Sequence, residues 1–268
     1  FELLVDETNE MSWVLMVGIG DCAPAGGSGQ QYFVGTFDGQ TFTNENEKDM
    51  VLWADYGADF YAGQSWSDEP QGKHIWAGWL NNWKYAQSIP TSSWRGALTL
   101  PRDLGLTQTP QGIRLTQQPI SLESLRTESW HWENTTITET NNLLENISGK
   151  TFEILLEFQV DAMLNRVGLN LRVGDGTKTT LGYGIKAKQL FFGRAESGET
   201  NFSKDFSLNH IAPLLPQNDT IKLHIILDRA SVEVFANDGL VVMTEQIFPV
   251  DNATGLELFV DGGDVVFK

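Results

Sequence analysis

The chain has 268 residues, of which 41% are hydrophobic and 20% are charged, and this composition is typical of a globular protein with one large or two smaller cores. Its net charge of −17 argues against nucleic acid and against anionic membrane surfaces as partners. No apolar stretch approaches the roughly 18 residues that a membrane span needs. A neutral ligand such as a sugar is compatible with this charge.

The first predicted elements are short strands separated by turns. Residues 13–17 form an apolar run, and residues 31–37 lead into Asp38-Gly39. Asp-Gly between apolar strands predicts a hairpin, because glycine accepts the positive φ of a tight turn. Residues 26–29 are rich in glycine but lack the Lys-Ser/Thr ending and the following helix of a phosphate-binding loop. We therefore predict a plain loop there and a further strand at residues 74–79.

The middle and the second half of the chain differ in their patterns. Residues 104–142 have a lower density of predicted strand, and we place a connection at residues 119–125. Beyond it, apolar residues alternate with polar ones, which predicts strands with one buried face. This alternation involves Phe152, Ile154, Leu156, Phe158 and Val160; Val167, Leu169, Leu171 and Val173; and Ile221, Leu223, Ile225 and Leu227.

Turn signals and missing helical patterns together predict an all-β fold. Hairpins are predicted at residues 237–239 and 261–264, and no segment shows a 3.6-residue apolar stripe. Short antiparallel strands in the second half favour a β-sandwich. The first half is long enough for two or three four-stranded units of a propeller, which cannot close a ring.

Aromatic, acidic and amide residues are concentrated between Asp55 and Arg102. Tryptophan and tyrosine rings stack on the C–H faces of sugars, whereas Asp, Asn and Arg bind hydroxyl groups. This mixture predicts a sugar-binding cleft.

Several motifs along the chain resemble those of glycoside hydrolase family 32, the invertase and inulinase family. They lie at residues 23–35, 59–62 (Asp-Phe-Tyr-Ala), 81–83 (Asn-Asn-Trp) and 227–235 (Leu-Asp-Arg-Ala-Ser-Val-Glu-Val-Phe). The resemblance implies the last blades of a five-bladed β-propeller followed by a C-terminal β-sandwich. It divides the chain into a partial propeller at residues 1–118, a linker at 119–125 and a sandwich at 126–268.

The same resemblance implies hydrolysis of β-fructosides by a retaining mechanism, in which one carboxylate attacks carbon and another protonates the leaving oxygen. The family carries these groups in Asn-Asp-Pro and Glu-Cys-Pro motifs, with a further Asp in Arg-Asp-Pro, and none of these strings occurs here. The nucleophile Asp and the acid/base Glu are therefore expected before residue 1. The complete protein is expected to be a glycosidase, whereas residues 1–268 alone are not expected to be catalytically active.

Four residues are candidates for substrate binding by this resemblance. Trp83 matches the tryptophan that lines the fructose subsite, and otherwise would be a core residue. Asp59 and Tyr61 are expected near the pocket floor, or alternatively as a buried Asp that satisfies backbone amides and a Tyr between blades. Asn82 is expected either to support the site by a hydrogen bond or to shape a turn.

Charged residues also interrupt the strand at residues 227–235. Asp228, Arg229 and Glu233 suggest an exposed ion pair. The alternative is that this face packs against the first half and lends a polar side chain to the cleft rim.

Secretion is suggested by five N-glycosylation sequons. The chain begins at Phe1 without a signal-peptide pattern, so we expect a cleaved precursor or a fragment. The sequons predict an extracellular or cell-wall glycoprotein; their asparagines are Asn134, Asn146, Asn201, Asn218 and Asn252. The single cysteine, Cys22, cannot form an intrachain disulfide and does not indicate a compartment.

The expected partner is a fructose-containing oligosaccharide or polysaccharide, with the N-terminal half considered as a second chain. The four histidines are too far apart in sequence to predict a metal cluster, and no cofactor is expected. Two alternatives remain open: a noncatalytic carbohydrate-binding or subunit protein, and a fructosyltransferase. The sequence does not choose between sucrose, inulin and levan.

Overall fold

A computed structural model describes residues 1–6, 8, 10–139, 141 and 143–268. These residues fold as β-strands joined by turns, with one short 3-10 helix and no α-helix among them. The all-β prediction is confirmed. Within the same described residues, no helix has the length and hydropathy of a membrane span.

The first segment, residues 1–119, contributes ten strands to one sheet. Its order is β4-β3-β2-β1-β9-β7-β6, while β10 pairs with β9, β5 with β3 and β8 with β7. The strands are β1 (Glu2–Val5), β2 (Glu10–Ile19), β3 (Gly29–Phe37), β4 (Phe42–Asn44), β5 (Leu52–Trp53), β6 (Tyr61–Ser65), β7 (Ile75–Leu80), β8 (Ala97–Leu98), β9 (Arg102–Thr109) and β10 (Gly112–Pro119).

The predicted hairpin at Asp38-Gly39 is confirmed. It joins β3 to β4, with Phe37 opposite Phe42. Gly39 has a φ of +93°, and the Asp38 carboxylate accepts the backbone N–H groups of Gln40 and Thr41 at 2.8 and 2.7 Å. Both features are those that an Asp-Gly turn requires.

The low strand density predicted for residues 104–142 is wrong for its first part. β9 and β10 form a long hairpin across the turn at Pro110 and Gln111. Leu104, Leu106 and Leu115 are buried in the core of the first segment and Ile113 packs against it, whereas most other positions of the two strands are Thr, Gln or Gly. Apolar and polar residues do alternate in parts of these strands, but the apolar residues are so few that the sequence of this region resembles that of a loop.

The second segment, residues 120–268, forms two sheets that enclose one hydrophobic core. Phe158 and Ile225 come from one sheet and Leu169 and Leu181 from the other, and each side chain is at most 1% exposed. The sheet orders are β11-β21-β12-β17-β18-β19 and β16-β15-β14-β13-β20. A 3-10 helix (Glu123–Leu125) precedes β11 (Thr135–Ile137), β12 (Phe152–Gln159), β13 (Arg166–Gly174), β14 (Thr177–Gly184), β15 (Gln189–Gly193), β16 (Asn209–Pro213), β17 (Thr220–Leu227), β18 (Ser231–Ala236), β19 (Val241–Gln246), β20 (Gly255–Asp261) and β21 (Val265–Phe267).

Of the two hairpins predicted in this segment, one is confirmed and one is wrong. Residues 237–239 join the paired strands β18 and β19. Residues 261–264 instead carry the chain from β20 in the five-stranded sheet to β21 in the six-stranded sheet. Gly262 and Gly263 have positive φ values, as residues of a turn often do. A turn reverses the direction of the chain, but it does not determine the strand with which β21 pairs.

The two segments meet along β19. The N–H groups of Tyr56 and Asp59 donate to the carbonyls of Val242 and Thr244, at 2.8 and 3.0 Å. A Cβ atom on Gly57 would lie 2.2 Å from the Thr244 carbonyl oxygen. Glycine at this position therefore permits the backbones of the two segments to lie side by side.

The exposed ion pair expected at Glu233 is wrong. Asp228 and Arg229 are exposed, but Glu233 is 4% exposed and faces the first segment, where it pairs with Arg102 at 2.8 Å. Burial raises the pKa of its carboxyl, and Arg102 and the Leu100 N–H oppose that rise. The alternative that this face packs against the first half is confirmed, but Glu233 lies inside the interface.

Candidate functional site

Trp83 presents a large aromatic surface on the turn that follows β7. Its side chain is 58% exposed, and its ring centroid lies 4.7 Å from that of Trp79. Its backbone N–H donates to Ser28 Oγ at 3.2 Å, which ties the turn to the glycine-rich loop. An exposed indole supported from behind by a second indole suits a flat apolar ligand face.

Asn82 is buried and fixes this turn. Its side-chain Nδ2 donates to the carbonyls of Gly26 and Ala58 at 3.0 and 2.7 Å, and its Oδ1 accepts the Lys84 N–H at 3.0 Å. A Cβ atom on Gly27 would lie 2.1 Å from Asn82 Oδ1, so only glycine fits against it. Asn82 thus contacts protein groups on three sides.

Asp59 lies in the interface between the segments, fully buried. Its carboxylate accepts hydrogen bonds from Tyr85 Oη, Arg194 Nη1 and the Gln246 N–H, at 2.7, 2.7 and 2.8 Å. Burial raises the pKa of the Tyr85 hydroxyl well above its ordinary value, and the charge of Asp59 adds to this rise. Asp59 is therefore joined to the Trp83 turn through Tyr85.

Tyr61 is half-buried at the start of β6 and lies against another part of the first segment. Its ring is next to Gly18 of β2, and it pairs with Trp79 in the β6–β7 register. It borders a cavity of about 400 Å³ whose lining includes Phe1, Gln30 and Trp76. The structure therefore brings Trp83 and Asn82 together and joins Asp59 to them through Tyr85. Tyr61 is not part of this group and lines the cavity bordered by Phe1.

The surface around Trp83 is suited to an uncharged ligand. Lys84, the next residue, forms an ion pair with Asp21 at 3.2 Å, so its charge is compensated. The carboxylate of Asp59, which is joined to the turn through Tyr85, is buried in an ion pair with Arg194. Apart from the exposed Asp21–Lys84 pair, the turn presents the aromatic surface of Trp83, which can hold a sugar ring.

Two family models match the chain, and together they cover nearly all of it. The glycosyl hydrolases family 32 N-terminal domain matches residues 1–119, and the glycosyl hydrolases family 32 C terminal model matches residues 121–268. The chain belongs to glycoside hydrolase family 32. The resemblance found in its motifs is confirmed.

Curated relatives in this family are fructan-degrading enzymes by name. A levanase from Bacillus subtilis is 45% identical over 100% of this chain, and an extracellular exo-inulinase from Aspergillus awamori is 34% identical over 98% of it. The chain spans 41% and 51% of the lengths of these two proteins.

Solved structures in the family share the fold. The A. awamori exo-inulinase superposes with a TM-score of 0.89 at 32% identity, covering 100% of this chain and 55% of that one. A fructofuranosidase from Schwanniomyces occidentalis, complexed with fructosylnystose, superposes with a TM-score of 0.86 at 23% identity, covering 100% of this chain and 58% of that one.

The structure of this family 32 chain also shows residues that the sequence did not point to. Arg194 is buried and donates to Tyr85 next to the Trp83 turn, and His210 is buried against Glu245, although both belong to the second segment. Burial alone lowers the pKa of the Arg194 guanidinium, but Tyr85, Asp59 and Glu245 outweigh this effect and the pKa lies above its ordinary value. Sequence distance hides such contacts, since Asp59 and Arg194 are 135 positions apart.

The five sequon asparagines are all exposed. They lie in turns, loops or their edges within the second segment, where an attached glycan would extend into solvent. The residues are Asn134, Asn146, Asn201, Asn218 and Asn252.

Proposed function

We propose that the complete protein hydrolyses β-fructosidic bonds in fructans or sucrose and that this chain supplies one wall of the fructose pocket. One observation carries the proposal: in a family 32 chain, Trp83 is exposed, backed by Trp79 and held by a buried Asn82. Its indole stacks on the C–H groups of the fructose ring and keeps water from the reacting carbon.

The roles that we propose for Asn82, Asp59 and Tyr61 depend on how far each side chain is buried. Asn82 and Asp59 are fully enclosed by protein groups, so we propose that they hold the turn rather than contact sugar. Tyr61, which is half-buried beside a cavity, is available for contact with a longer substrate.

The reaction is proposed to be a retaining double displacement. A carboxylate attacks the anomeric carbon while a carboxylic acid protonates the leaving oxygen, and water then releases fructose with the second group acting as base. Both catalytic groups are proposed to lie outside residues 1–268, in the same polypeptide or in a second chain. The intact mass of the native protein distinguishes these two arrangements.

A fructan is the preferred substrate class because the relatives with over 30% identity are named levanase and exo-inulinase. Those names also disfavour a noncatalytic binding protein. They do not favour the fructosyltransferase alternative either, although a fructosyltransferase from A. japonicus shares the fold at 16% identity.

We also propose the architecture of the two segments. Residues 1–118 form the last blades of a five-bladed β-propeller, residues 119–125 a linker and residues 126–268 a β-sandwich. The ten-stranded sheet, the two sheets around one core and the likeness to the exo-inulinase structure support this division.

An extracellular or cell-wall location is proposed for the protein, with glycans on the five exposed asparagines. The exo-inulinase relatives are described as extracellular. Mass spectrometry of the secreted protein before and after glycosidase treatment tests the modification.

The activity is tested by incubating the full-length protein with levan, inulin and sucrose and following products by NMR. The proposal expects fructose that appears first as the β-anomer. Fructose that appears first as the α-anomer would contradict the retaining mechanism, and transfer products without free fructose would favour the transferase. No turnover of any substrate would contradict the proposal as a whole.

A further inference from the structure

The glycine loop, residues 23–28, is attached to the Trp83 turn. Asn82 Nδ2 donates to the Gly26 carbonyl at 3.0 Å, and Ser28 Oγ accepts the Trp83 N–H at 3.2 Å. These two hydrogen bonds couple the position of the glycine loop to that of the Trp83 turn.

The other side of the same loop is held by the second segment. Ser207, between β15 and β16, donates its hydroxyl hydrogen to the Ala25 carbonyl at 3.1 Å. Its oxygen lies 2.7 Å from His210 Nε2, and His210 Nδ1 lies 2.7 Å from Glu245 Oε1. Ser207 Oγ therefore has two partners: the Ala25 carbonyl, which can only accept, and His210 Nε2. His210 and Glu245 are buried, so this hydroxyl lies against enclosed neighbours on that side.

Arg194 connects Ser207 to the Trp83 turn by a second path. Its Nε donates to the Ser207 carbonyl at 2.7 Å, and its Nη2 donates to Tyr85 Oη at 3.1 Å. The Tyr85 N–H in turn donates to the Asn82 carbonyl at 3.2 Å. One fully buried guanidinium thus fixes the distance between Ser207 and the turn.

We propose that Ser207 is a positioning residue for sugar binding: it holds the Ala25 carbonyl, and through the glycine loop it sets the position of Trp83. The second segment is then part of the sugar site although it contributes through the loop and not by contact with the reacting atoms. This inference rests on the proposed function, because it assigns Trp83 to the fructose pocket.

Loss of the hydrogen bond between Ser207 and the Ala25 carbonyl is expected to weaken substrate binding moderately. Ser207→Ala is expected to raise KM by about threefold to tenfold, which is what one net hydrogen bond is worth, with kcat nearly unchanged. Ser207→Thr keeps the hydroxyl and is expected to restore KM to within about twofold of the wild-type value.

Ser197→Ala is the matched control. The Ser197 hydroxyl is buried and donates to the Arg194 carbonyl at 2.8 Å, so it bonds within its own segment and does not reach the glycine loop. Like Ser207→Ala, the Ser197→Ala substitution removes one hydroxyl oxygen from the connection between β15 and β16. We expect it to lower the melting temperature without changing KM.

The experiment measures kcat, KM and thermal melts for full-length wild type, Ser207→Ala, Ser207→Thr, Ser197→Ala and Trp83→Ala. The substrate is whichever of levan, inulin and sucrose the wild type hydrolyses fastest. A rise in KM for Ser207→Ala and Trp83→Ala, absent in the other two variants, supports the inference.

Three results would overturn it. An unchanged KM in Ser207→Ala, when Trp83→Ala raises KM, rejects the positioning role and leaves the proposed site intact. An equal rise in KM for Ser197→Ala, or loss of the cooperative melt in Ser207→Ala alone, reduces the bond to a general stabilising contact. If Trp83→Ala leaves kcat/KM unchanged, the proposed site itself is rejected, and the inference with it.

Discussion

Arg102 in the first segment and Glu233 in the second form a buried ion pair, with Nη2 and Oε2 2.8 Å apart. The Arg102 guanidinium also meets the Asp55 carboxylate at 3.1 Å and lies between the rings of Phe60 and Phe235, at 4.5 and 5.1 Å from their centroids. Each ring comes from a different segment. A charge enclosed in this way makes the relative position of the segments specific, because any shift would leave it without its partners.

Removal of one member of this pair is expected to destabilise the protein strongly. Arg102→Met leaves the carboxylates of Asp55 and Glu233 buried without a cation, and the expected loss is about 3–5 kcal/mol of unfolding free energy. Chemical denaturation measures it. Arg166→Met is the control, since Arg166 and Asp261 form an exposed pair worth at most about 1 kcal/mol. Equal losses in the two variants would show that the buried network does not join the segments.

Acid sensitivity is expected from Glu153 on β12. The hydrogen bond from Arg126, at 2.7 Å, is the largest cause that lowers the pKa of this carboxyl, and His224 contributes as well. A carboxyl with a lowered pKa in the folded state stabilises the protein above the ordinary glutamate value, and this contribution disappears as pH falls through the lowered value.

Glu153→Gln should therefore reduce the slope of stability against pH between about pH 5 and pH 3. Arg126→Gln should reduce the same slope, because it removes the main cause of the shift. Unfolding free energies measured by denaturant titration across this range provide the test. A slope identical to that of the wild type in both variants would contradict the assignment.

The polypeptide of residues 1–268 is expected to be inactive by itself. Its sequence contains none of the Asn-Asp-Pro, Arg-Asp-Pro or Glu-Cys-Pro strings, and Asp59, which is joined to the Trp83 turn through Tyr85, is buried in an ion pair with Arg194. General acid–base help alone is worth about 10² to 10⁴ in rate, and without a nucleophile the covalent route is closed as well. Fructose assays on this polypeptide should show no release, with the full-length protein as the positive control. Clear hydrolysis by a preparation free of longer forms would contradict this expectation.

Much of the fold could be predicted from local patterns. The alternation around Phe158 identified β12, and Leu155, the one apolar residue out of phase, is 71% exposed on the outer face. The turn at Asp38-Gly39 could likewise be predicted from its two residues alone, because Gly39 accepts the positive φ that the turn requires. Local signals suffice where the structure depends on neighbours in sequence.

The errors arose where the structure depends on distant contacts. Alternation placed Glu233 on the face opposite Val232, but could not show that Arg102 covers that face. The turn at residues 261–264 was recognised, yet its next strand pairs in another sheet. In the site, the exposed Trp83 was accessible to motif reasoning, whereas Ser207 and Arg194 were not, because their contacts span 182 and 135 positions.

The central claim is that Trp83 forms an apolar wall of the fructose pocket, and the most direct test is Trp83→Ala in the full-length protein. Aromatic contact of this kind is worth on the order of 1 kcal/mol, so kcat/KM should fall by about threefold to tenfold with the melting temperature nearly unchanged. Trp66→Ala is the matched control, since Trp66 is 53% exposed and lies outside the turn. An unchanged kcat/KM in Trp83→Ala would contradict the account, and so would a large drop in melting temperature, which marks a core tryptophan.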